Sequence, residues 1–121
     1  MKTTNYEISK KLREIGFETE TIFYYEYEEL RWEEEGVDLP FEDLIYAYDL
    51  ETILEAFPKV LGKFRYWSTW STSSNCYIFG YVNGVTRNTA LETNTENNES
   101  LADTAARLLI KLIEDKIIKI K

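Results

Sequence analysis

The chain has 121 residues, 44% of them apolar and 15% aromatic, which is enough for a single domain over residues 1–121 with a real core and excludes wholesale disorder. It contains no histidine and one cysteine, Cys76, which removes Ser-His-Asp and Cys-His nucleophile sites, the usual zinc ligand sets and any internal disulfide. The net charge of -8 is unevenly placed: residues 1–62 carry 16 acidic and 6 basic side chains, residues 63–121 carry 6 and 8, so the first half repels phosphate backbones and no direct nucleic-acid binding is expected.

In chain order, Thr4-Asn5-Tyr6-Glu7 reads as a capping box that opens a short helix. Ile8, Leu12 and Ile15 share one face of it, and Gly16 is placed to end it in the left-handed conformation. Residues 21–27, Thr-Ile-Phe-Tyr-Tyr-Glu-Tyr, are aromatic and β-branched and predict a strand, with residues 29–34 as its hairpin partner because Leu30 and Trp32 alternate with charges. Residues 35–48 read as an acidic connection broken by Gly36 and Pro40. Asp49 caps a second helix whose apolar face is Leu50, Ile53, Leu54 and Phe57, with Pro58 limiting it.

Residues 64–71 predict another aromatic strand. Residues 76–82 and 85–91, joined by Asn83-Gly84, predict a hairpin with a two-residue type I′ turn. That turn would pair Val82 with Val85 and Cys76 with Leu91, placing Cys76, Ile78, Val82, Val85 and Leu91 on one face and Tyr77, Phe79, Tyr81, Thr86 and Asn88 on the other. The aromatic face is either core or a surface for a ligand or partner, and Trp67 and Trp70 on the neighbouring strand carry the same two readings. Ser100 starts a long final helix with Leu101, Ala105, Leu108, Leu109, Leu112 and Ile113 facing inward; Ile117, Ile118 and Ile120 either continue it or add a strand. The architecture expected is α+β: an antiparallel sheet of about four to five strands with helices packed mainly on one face.

The acidic residues concentrate between positions 26 and 43. Glu28, Glu29, Glu33, Glu34, Glu35, Asp38, Glu42 and Asp43, with Glu26, face the single cation Arg31, which forms either a solvated loop face or a surface that attracts a basic partner. Enzyme chemistry finds little footing. Glu114-Asp115-Lys116 lies on the last helix without a metal-binding aspartate ahead of it, and a calcium loop set on Gly36 and Glu42 would begin at Arg31, where a carboxylate must ligate. The five glycines supply neither a Walker loop nor a dinucleotide fingerprint, so no cofactor, metal site or catalytic residue is expected. Residues 1–7 have no apolar signal region and no run reaches the ~18 residues of a membrane span, so a cytoplasmic protein without membrane contact is expected.

The opening Ser9-Lys10-Lys11-Leu12-Arg13-Glu14-Ile15-Gly16-Phe17, the tyrosine-rich strand, the helix Leu50-Glu51-Thr52-Ile53-Leu54-Glu55-Ala56-Phe57-Pro58 and the closing Ser100-Leu101-Ala102-Asp103-Thr104-Ala105-Ala106-Arg107-Leu108-Leu109 together resemble small phage- and prophage-encoded proteins. That resemblance implies a bacterial or phage setting and an accessory role such as host takeover or defence evasion; it supplies no catalytic residue. The expectation is a non-enzymatic binding module that engages a basic host protein through the acidic segment and exposed aromatics. The alternative is a protein that sequesters a nucleotide signal, with Trp67, Trp70, Tyr77, Phe79 or Tyr81 stacking on a base and Arg65, Arg87 or Arg107 meeting phosphate. A carboxylate- or metal-dependent enzyme is the third reading, and an apolar sheet face or terminus also allows a homodimer.

Overall fold

The computed structural model describes residues 3–33, 44–61, 64–71, 76–83, 89–94 and 99–118, and the backbone alone for residues 67, 69–71 and 89–94. Helix α1 spans Tyr6–Glu14. Its cap is Asn5, whose side-chain oxygen accepts from Ile8 N at 2.8 Å, one residue later than the capping-box pattern places it. Thr4 is fully buried and serves a different purpose: its hydroxyl lies 2.6 Å from Ser9 Oγ and accepts from Tyr48 N, while its own N–H donates to Tyr48 O at 2.7 Å. Gly16 does end the helix with φ 96°, and Phe17 N returns to Leu12 O at 2.8 Å.

Strands β1 (Phe23–Glu26) and β2 (Glu29–Trp32) form the expected hairpin, with Phe23 opposite Trp32 and Glu26 opposite Glu29. On the other side of β1 lies β3 (Leu44–Tyr46), in a segment that the sequence reading assigned to a connection. The physical reason is a continuous run, Leu-Ile-Tyr-Ala-Tyr, that is buried on both faces and therefore shows no alternation. Leu44, Tyr46 and Tyr48 enter the main core, whereas Ile45 and Ala47 join Tyr25 in a small second cluster with Tyr6 and Phe23 packed against it.

Helix α2 (Leu50–Glu55) is capped by Asp49, which accepts from Thr52 N at 2.9 Å, and buries Ile53. Strands β4 (Val60–Leu61), β5 (Phe64–Ser71), β6 (Cys76–Asn83) and β7 (Thr89–Asn94) then form an antiparallel sheet in that order. The fold is thus α+β and antiparallel as expected, with the seven strands among the described residues divided between sheets of three and four instead of sharing one. The hairpin register differs from expectation. Val82 pairs with Thr89 and Tyr81 with Leu91 in place of the expected Val82–Val85 and Cys76–Leu91 pairs, so Leu91 shares a register position with Tyr81 of β6, and Gly84 of the expected turn lies outside the described residues. Val85, Thr86 and Asn88 lie outside the described residues.

Helix α3 (Leu101–Glu114) begins at Ser100, whose hydroxyl accepts from Asp103 N at 3.1 Å. It buries residues nearly all round, and the small Ala102, Ala105 and Ala106 allow close approach. It packs against β6, β7, α1 and α2, while α1 in turn packs on β3, so α3 is the element around which the core is assembled. Lys116 at φ 59° and the bond from Ile117 N to Leu112 O stop it; Ile117 is exposed, Ile118 folds back on the core, and Ile120 lies outside the described residues. Among the described residues no helix is long and apolar enough to cross a membrane.

Candidate functional site

The aromatic stripe of β6 is core. Phe79 and Tyr81 are fully buried and Tyr77 packs against them, which removes Phe79 and Tyr81 as surface anchors. Tyr66 stacks on Phe57 with ring centroids 5.3 Å apart and meets Tyr81 edge-on at 5.8 Å. The Tyr81 hydroxyl donates to Pro58 O at 2.7 Å, and that of Tyr48 to Phe17 O at 3.2 Å, so two buried phenols hold the chain where it leaves α2 and α1. Burial pushes the Tyr66 and Tyr81 pKa values up to about 12, and that of Tyr48 higher still. The Tyr66 hydroxyl is buried and meets the Ser68 side chain without a hydrogen bond of full geometry.

Of the other ligand candidates, Arg107 and Arg65 have described side chains. Arg107 is gripped by Glu99 through two 2.7 Å contacts in a half-buried pair, so its role is to fasten the start of α3 and not to await a phosphate. Arg65 is exposed on β5 opposite Val82. Trp67 and Trp70 occupy β5 positions opposite Gly80 and Tyr77, and therefore alternate faces. Arg87 lies outside the described residues, as do Glu34, Glu35, Asp38, Glu42 and Asp43.

The β1–β2 hairpin concentrates unusual features instead. Tyr27 is 74% exposed, Trp32 63% and Leu30 48%, the last two on a strand with no buried residue. Leu30 and Trp32 stand opposite Tyr25 and Phe23, so they continue the apolar face of the second cluster outward to the sheet's β2 edge. Arg31, on the opposite face, is held by Glu26 at 3.3 Å and Glu29 at 3.0 Å. Glu28 and Glu33 are exposed beside the apolar strip. Glu33 also receives the Tyr24 hydroxyl at 3.4 Å; burial, then the charges of Glu33 and Glu26, raise the Tyr24 pKa.

The tip is strained. Tyr27 and Glu28 adopt φ of 50° and 69°, the left-handed pair that a type I′ turn requires and that Asn-Gly would satisfy without steric conflict. Tyr27 borders a hollow of about 480 Å³ whose other walls include Tyr6, Lys10, Arg13 and Ile45.

Neither family models, curated proteins nor solved structures yield a match to this chain.

Geometry alone therefore defines what the hairpin can do. It offers an exposed apolar strip, an aromatic residue over a hollow and the exposed carboxylates Glu28, Glu29 and Glu33. Among the described residues no three His, Cys, Asp or Glu side chains are grouped to hold a metal ion. Tyr27, Leu30 and Trp32 were the residues that sequence reasoning missed, because alternation of Leu30 and Trp32 with charges signals a strand without saying whether another layer covers it.

Proposed function

We propose that this protein is a non-enzymatic binding module that engages a basic protein surface through the β1–β2 hairpin and its acidic surroundings. The observation that carries the reading is Tyr27, Leu30 and Trp32 standing exposed on a strained hairpin among carboxylates. Left-handed tyrosine and glutamate at a turn sacrifice stability, and such strain is characteristic of segments kept for contact with something else. Trp32 and Tyr27 supply aromatic anchors, while Glu28, Glu29 and Glu33 favour encounter with cationic partners. With the resemblance to phage-encoded proteins, the partner in this reading is a cytoplasmic protein of a bacterial host.

The test is affinity capture from bacterial lysate with the wild-type protein and a Trp32→Ala/Leu30→Ser variant, at low and moderate salt. A basic protein retained by the wild type, released by salt and lost with the variant is the expected result. Identical capture by both proteins, or retention indifferent to salt, refutes the hairpin as the binding element.

A further inference from the structure

The three helices end close together, and the turns that follow them enclose a cleft of about 810 Å³, within the size range of small-molecule sites. Phe17, Phe57, Leu109 and Ile113 make its apolar walls, and Ile118 closes one side after α3 has ended. Two of its walls are fixed from behind, since Phe17 O accepts from Tyr48 and Pro58 O from Tyr81. The concavity is therefore built by buried, hydrogen-bonded groups and not by loose surface side chains.

Among the described residues, the ionisable side chains that line it are both acidic. These are Glu18 and Glu55, and both are exposed at its rim. Arg13 Nε forms a long ion pair with Glu18 Oε1 at 3.8 Å, and its Nη1 donates to Leu44 O at 2.8 Å, so Glu18 is partly and Glu55 less compensated. The C-terminal ends of α1, α2 and α3 point their negative dipole ends toward the same region, and the carbonyls of a last helical turn favour cations. An anionic ligand such as a nucleotide meets repulsion here, whereas an apolar body carrying a positive head meets a complementary site.

We propose that the cleft binds a small amphipathic organic cation: an aryl or branched-alkyl group seated between Phe17, Phe57 and Ile113, with its ammonium at Glu18 and Glu55. Glu18 also lines the hollow that Tyr27 borders, but no described residue of the β1–β2 hairpin lines the cleft, so hairpin variants and cleft variants test the two readings separately.

The test compares 4-phenylbutylammonium, 4-phenylbutanol and 4-phenylbutyrate by amide chemical-shift titration of the full chain. The cation is expected to give saturable shifts centred on Gly16, Thr19 and Ala56, the alcohol to bind several-fold more weakly and the anion not to saturate. Glu18→Gln/Glu55→Gln, at exposed positions that leave the core intact, should weaken the cation by about three- to tenfold and leave the alcohol unchanged. Equal binding of the three probes, shifts centred elsewhere, no saturable binding of the cation or no effect of the double variant overturns the proposal.

Discussion

Tyr66 and Tyr81 make a matched pair for testing how the core uses its phenols. Their rings touch, 5.8 Å apart, and each hydroxyl is desolvated enough for burial to lift its pKa to about 12. They differ in how they are satisfied: Tyr81 donates to Pro58 O at 2.7 Å, whereas the Tyr66 hydroxyl meets the Ser68 side chain without a hydrogen bond of full geometry. Tyr81→Phe removes that bond and strands a carbonyl, a loss of about 1–3 kcal/mol. Tyr66→Phe removes a buried hydroxyl whose one contact, to Ser68, is poor, so stability should hold or rise by up to about 1 kcal/mol. Both substitutions delete the same atom from the same stacked cluster, so ring packing and area burial cancel in the comparison. Urea unfolding followed by far-ultraviolet circular dichroism reads both, and in a thermal melt each kcal/mol corresponds to about 4 °C for a domain of this size. If Tyr66→Phe destabilises as much as Tyr81→Phe, hydroxyl satisfaction does not govern this cluster and the reasoning fails.

Three further expectations follow from the same geometry. Because the folded pKa values of Tyr66 and Tyr81 lie above the unfolded value of about 10, their contribution is complete below pH 10 and is lost as pH rises toward 12. Urea midpoints measured from pH 8 to 11.5 should fall accordingly, and a Tyr66→Phe/Tyr81→Phe variant should fall less steeply. Replacing the strained turn by Tyr27→Asn/Glu28→Gly should raise stability by about 1–2 kcal/mol, and calorimetry that shows no gain would remove strain as an argument for the hairpin. Asp103 is raised by burial against the opposing bonds from Asn5 N and Ser100, so the stability it contributes is present below its unfolded pKa and fades as pH rises through the folded one. At pH 7 Asp103→Asn should thus be no less stable than the wild type in thermal melts, while Asp103→Ala, without an acceptor for Asn5 N, should lose about 1–3 kcal/mol.

Local signals were legible wherever a side chain acts on its own backbone. Asp49 and Ser100 cap the helices they were expected to cap, Gly16 takes the left-handed conformation, and the 23–32 hairpin follows from alternation. Errors arose where a tertiary contact outcompetes the local pattern. Thr4 was expected to cap α1, but it satisfies Ser9 and Tyr48 across the core, leaving Asn5 to cap. Asn83-Gly84 suits a tight turn, yet the pairing of Val82 with Thr89 and Tyr81 with Leu91 sets another register. Leu44–Tyr46 hid as a strand because it is apolar on both sides. The candidate site was less legible than the fold: periodicity gave the aromatic face of β6, and only the position of α3 determines that Phe79 and Tyr81 lie under a helix while Trp32 does not.

The bond from Asn5 N to Asp103 Oδ1 joins residues 98 positions apart and docks the start of α1 on the start of α3. Since α3 also lines β6 and β7 and packs on α2, a nascent chain that has emerged only as far as residue 100 lacks the surface on which its helices and strands close. The order of synthesis thus delivers the organising element after every strand it covers. Closure of this domain is expected to wait for α3 and to be slow for its size, its tyrosine-rich strands staying exposed until residues 101–114 have emerged.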